Sequence, residues 1–224
     1  MDRGLVQAPW KDVQRMFLAM LVLLVFCVLT YGERYDAKAF PISSLGGVRT
    51  ANGYPNHLSA AGFIAAMANS ARLMLRFSAH YASSRAALAP VFTAIGRVVA
   101  VGFVLTALPH DVPALWRPHM VGAATVFSGL GLMAVVQLRQ VASLFSPAVC
   151  TALVVAIALP LLAYGGLVAV GASSEHLAQK FAAAGVTVPN VIVARRIAPR
   201  ILWPDRGKTV IAPVASRRRG SAHE

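Results

Sequence analysis

Two serines, an asparagine, three histidines and an aspartate stand out in a chain with few other polar groups: Ser43, Ser44, Asn56, His57, His110, Asp111 and His119. His57, His110, Asp111 and His119 are of the types that hold zinc with one position open, where a bound water ionises near pH ~7 and can hydrolyse an ester or amide. Their spacing matches no HExxH-like metal motif. The same groups also suit the capping of helix ends, since each terminus leaves four backbone groups unpaired. Asp111 and His119 read equally as an ion pair. A serine nucleophile at Ser43 or Ser44, with a histidine base and Asp111 as orienter, would need a strained turn such as GxSxG, and none is present. The sequence thus assigns no catalytic residue, and it calls for no cofactor unless the zinc alternative holds.

A second kind of chemistry centres on Arg97, an arginine inside an apolar run. A charge at such a place either faces a polar interior, where it would meet an anionic substrate or lipid headgroup, or snorkels to the interface. With Asn69, otherwise an interhelical hydrogen-bonding group, it would suit a small-solute carrier if both lined one cavity.

The elements that must position these groups are membrane helices. Of the 224 residues 57% are hydrophobic and 13% charged, and the mean hydropathy is +0.64. A soluble surface needs more charge than this. The expected fold is an all-α polytopic transmembrane bundle with spans near 16–32, 56–75, 88–108, 119–138 and 148–170, preceded by a cytoplasmic segment 1–15. Residues 172–224 form a basic C-terminal segment with a weak sixth candidate at 181–194, short for a span and containing Gly185 and Pro189. Within span two, Gly62, Ala66 and Ser70 recur every fourth residue, a small-residue stripe that admits a close neighbour. Pro160 and Gly165-Gly166 predict a kink in span five. The small-x-small triplet Ala37-Lys38-Ala39 lies too far beyond the first apolar run for a signal peptidase site, so the first helix is expected to be retained.

Cytoplasmic loops carry the excess of Lys and Arg. Arg3, Lys11 and Arg15 place the N-terminus inside, and Arg72, Arg76 and Arg85 fall on the same side after span two, which suits the plasma membrane of a bacterium. Ser43, Ser44, Asn56, His57, His110, Asp111 and His119 then share the outer face. Nine basic residues from Lys180 onward require an even number of spans if they too are cytoplasmic, where they would attract anionic lipids. The net charge of +13 is grouped at span ends and in this tail, without the motifs of nucleic-acid binding, so the bilayer is the expected partner. Cys27 and Cys150 lie inside apolar runs and form no CxxC pair.

Over residues 16–171 the chain resembles the DRAM-like proteins. The resemblance rests on Pro41-Ile42-Ser43-Ser44-Leu45-Gly46, Asn56 opening span two, Leu108-Pro109-His110-Asp111-Val112-Pro113, and His119-x-x-Gly122-Ala123. That group includes the damage-regulated autophagy modulators, proteins involved in maturation of GPI-anchored proteins, and bacterial membrane proteins without an assigned activity. It implies six spans with both ends cytoplasmic, the sixth following Glu175-His176, and an outer-face cluster of Ser43, Gly46, Asn56, Asp111, His119 and Gly122. It also implies a role on or with membrane lipids.

Overall fold

The computed structural model describes residues 8–83, 88–142, 145–170 and 175–201. They form an all-α bundle of α1 (Ala8–Leu29), α2 (His57–Ala82), α3 (Ala89–Thr106), α4 (Pro113–Val141), α5 (Pro147–Ala169) and α6 (Glu175–Ile201), with a 3₁₀ turn at Ile42–Gly46 between α1 and α2. The helices α1 to α5 are each long and apolar enough to cross a membrane, which makes this an integral membrane protein. Most basic residues of the C-terminal tail, from Arg206 to Arg219, lie outside the described residues, as does Arg85.

Helix starts follow local chemistry. Proline stands in the first turn of α3, α4 and α5, where its missing N–H costs nothing and its fixed φ suits the helix. Ser146 caps α5 by accepting from the Val149 amide at 3.3 Å. Because α4 begins at Pro113, His119 sits nearly two turns inside the helix rather than at its opening.

Successive helices from α1 to α4 pack side by side, and α6 lies against α4, α5 and α1. The small-residue stripe of α2 meets α1: a Cβ on Gly62 would come 2.7 Å from the Phe26 ring, so only a bare backbone permits this approach. Toward the C-terminal end of α2, Phe77 meets Phe92 of α3 edge to face and Tyr81 meets it tilted, with centroids 6.1 and 4.7 Å away. At that same end of the bundle the buried Asp12 carboxylate pairs with Arg76 at 3.3 Å and Arg15 at 3.5 Å, tying α1 to α2.

α5 is the least buried of the five apolar helices, so most of its surface is left to lipid. α6 spans 27 residues, well beyond the 181–194 segment that its apolar composition marks out. Its buried positions Gln179, Ala182, Val186 and Asn190 fall on one helical stripe. Against α5 the fit is close, since a Cβ on Gly185 would meet the Ala156 carbonyl at 2.7 Å. Gln179 and Asn190 hydrogen-bond within the protein, which is how a helix of modest hydropathy can occupy the bundle.

Candidate functional site

The end of the bundle opposite Asp12 gathers the loop after α1, the α3–α4 turn and the N-terminal parts of α2, α4 and α6. Asn56, 1% exposed, organises it. Its side-chain oxygen accepts from the Gly32 amide at 3.1 Å, and its Nδ2 donates to the Gly47 carbonyl at 2.8 Å. One turn on, the Ser59 hydroxyl donates to the Leu45 carbonyl at 2.8 Å. From the α3–α4 turn Asp111 reaches across and accepts from two successive loop amides, Val48 at 3.1 Å and Arg49 at 2.9 Å. From α6, Gln179 accepts from the Ile42 amide at 2.7 Å, and the Lys180 ammonium donates to the Phe40 carbonyl at 2.6 Å. Loop backbone that leaves a sheet or helix must find such partners when buried.

Two glycines are required by these approaches. A Cβ on Gly46 would lie 2.5 Å from the Phe63 ring, and one on Gly122 would meet the Thr106 amide nitrogen and the Leu105 Cβ at 2.6 Å. Gly122 is thus the contact point of α3 and α4 rather than a member of the polar group.

His119 is held in one tautomer. It is 1% exposed, and its Nδ1 lies 2.8 Å from the Leu108 carbonyl. A carbonyl only accepts, so Nδ1 carries the proton and Nε2 presents a bare lone pair. That Nε2 is buried without a hydrogen-bond partner. The His119 residue borders a cavity of about 90 Å³ lined from α1, the 3₁₀ turn, α2, α3, α4 and α6. The walls are mainly Met20, Phe63, Met67, Phe103, Val126 and Leu130, with Ser43, Thr106, Gln179 and Thr187 as the other polar side chains.

His110 packs beside His119 with ring centroids 5.7 Å apart. Burial, and then the neighbouring His119, hold its pKa below the ordinary 6.5, while Asp111 pulls the other way. A base whose folded pKa is depressed leaves the unfolded chain binding more protons. Stability is therefore complete above about pH 6.5 and is lost as pH falls toward the folded value. The melting midpoint is expected to drop between pH 7.5 and 5.5, and to drop less in His110→Asn; equal drops in both proteins would refute the role given to His110. Glu33 and Asp36, whose pKa values are lowered by hydrogen bonds from Asn52 and from the Lys38 amide, act alike in both backgrounds.

Ser43, Gly46, Asn56, His57, His110, Asp111 and His119 share one end of the bundle, where His57, at the start of α2, is exposed. Among the described residues no three His, Cys, Asp or Glu side chains are grouped so as to hold a metal. Both Asp111 oxygens are already engaged by the loop. Arg97 is exposed on the outside of α3, and Asn69 accepts from Arg72 at 3.0 Å; neither lines the cavity. Sequence reading did not find Gln179, Lys180, Ser59 or Thr106. Ser59 had a signal, three residues after Asn56 on the same helical face, and Gln179-Lys180 stood just ahead of the apolar part of α6.

No protein-family model, curated protein or solved structure matches the chain.

Proposed function

We propose that this integral membrane protein acts on or with membrane lipids by holding a lipid, or the end of one, in the bundle cavity beneath the outer-face loop. The observation that carries this reading is that His119, whose buried Nε2 has no hydrogen-bond partner, borders a largely apolar cavity. Convergent polar groups in an apolar pocket are the usual form of a small-molecule site. Engineered apolar cavities of about 150 Å³ take up benzene, so a space of this order suits an alkyl segment or a small head. The likeness of the 41–46, 108–113 and 119–123 segments to DRAM-like proteins supports the same reading. Arg15, Arg72 and Arg76, all at the end away from the loop, support a cytoplasmic N-terminus in a bacterial plasma membrane.

Native mass spectrometry of protein released from its own membrane tests the proposal. Wild type is expected to carry a one-to-one lipid adduct. Ala183→Phe, which places a ring in the cavity, is expected to lose it while keeping a wild-type elution profile. An adduct unchanged by Ala183→Phe would place the lipid elsewhere.

A further inference from the structure

Resting on the lipid reading above, we propose that the cavity selects a neutral lipid with a free hydroxyl, taken up sideways from the bilayer between α1 and α6, the hydroxyl donating to His119 Nε2. The tautomer set by the Leu108 carbonyl leaves His119 only an acceptor to offer, so its partner must be a donor. Two of the other polar side chains bordering the cavity, Thr106 and Gln179, are already engaged. Thr106 donates to the Gly102 carbonyl at 2.8 Å, and Gln179 serves the Ile42 amide and Tyr164.

Among the described residues no Asp, Glu, Lys or Arg lines the space. An ionised head would lose its hydration without gaining a counter-charge from these walls. A lone water fits poorly too, since buried waters make about three hydrogen bonds and the walls here are mainly apolar. A hydroxyl tethered to a hydrocarbon chain satisfies both the acceptor and the walls.

The route is marked by Leu24 of α1 and Ile42 of the 3₁₀ turn, which border the cavity and also an outer groove of about 310 Å³. That groove runs along α1 past Val25, Val28 and Leu29, side chains that are themselves open to the bilayer. At its loop end the groove is bordered by Lys180, whose ammonium donates to the Phe40 and His176 carbonyls. A chain lying in the groove would place its head past Leu24 and Ile42.

The test uses the full chain in phosphatidylcholine nanodiscs, with oleyl alcohol, its methyl ether and oleate as probes and native mass spectrometry as readout. The alcohol is expected to bind about tenfold more tightly than the ether, the effect of one neutral hydrogen bond to a buried acceptor. His119→Phe should make alcohol and ether equal, and Leu24→Trp should weaken both. Equal binding of alcohol and ether to wild type, or preference for ionised oleate, overturns the hydroxyl selection and leaves the cavity reading standing. Failure of all three to bind takes down the cavity reading itself. Unaltered binding in Leu24→Trp overturns the α1–α6 route. The wild-type comparison of alcohol with ether decides the selection even if His119→Phe does not fold.

Discussion

Gly122→Val is expected to yield little folded protein, and Gly122→Ala to lower the melting midpoint strongly. The atoms a side chain would strike are backbone and Cβ atoms of α3, at 2.6 Å for the Thr106 nitrogen and Leu105 Cβ and 2.8 Å for the Gly102 carbonyl. No rotamer change removes such a clash, so α3 and α4 must move apart along their crossing. Overpacking of this kind costs about 1–3 kcal/mol even where side chains can yield, and more is expected here. Gly165→Ala and Gly166→Ala are the controls. A Cβ at either meets nothing within 4 Å, and alanine is the better helix former by about 0.8–1 kcal/mol. Their midpoints should stay level or rise; a loss equal to that of Gly122→Ala would contradict the crossing described.

Asn56→Ala is the second large effect. It removes the acceptor of the Gly32 amide and the donor to the Gly47 carbonyl in one step, at a position that water does not reach. Each buried group left without a partner costs about 1–3 kcal/mol, so a loss of roughly 2–5 kcal/mol is expected from thermal melts in detergent. Ser59→Ala, which removes a single bond to Leu45, should cost only about 1 kcal/mol. Similar losses in the two variants would mean that Asn56 does not organise the loop. Loosening of the loop should also weaken lipid retention, because Ile42 and Ser43 roof the cavity.

How far the molecule was legible in its sequence depended on what each side chain faces. Long uncharged runs declare helices that meet lipid, and α1 to α5 were visible for that reason. α6 showed only as a weak, short candidate at 181–194, because hydropathy measures transfer to hydrocarbon whereas Gln179 and the Asn190 Nδ2 of this helix hydrogen-bond to protein backbone. The meeting of the loop after α1 with the α3–α4 turn followed from alternating spans, yet the roles of their residues did not. Asp111 and Val48 stand 63 positions apart, and nothing in their local sequence says that a carboxylate fit for metal binding is engaged by two loop amides. His119 reads as one more histidine of a polar group until the Leu108 carbonyl fixes its tautomer and the surrounding helices bury its other nitrogen.

Cysteine labelling in sealed cells reads the shared face of the two loops directly. With Cys27 and Cys150 replaced, single cysteines at the exposed positions Ala51, on the loop after α1, Ala114, in the first turn of α4, and Ala82, at the far end of α2, are treated with a membrane-impermeant maleimide. Reaction at Ala51→Cys and Ala114→Cys from outside, with Ala82→Cys protected until the cells are opened, is the predicted result. Labelling of Ala51→Cys and Ala114→Cys from opposite sides of the membrane would contradict the bundle, and with it the roofed cavity on which the lipid reading stands.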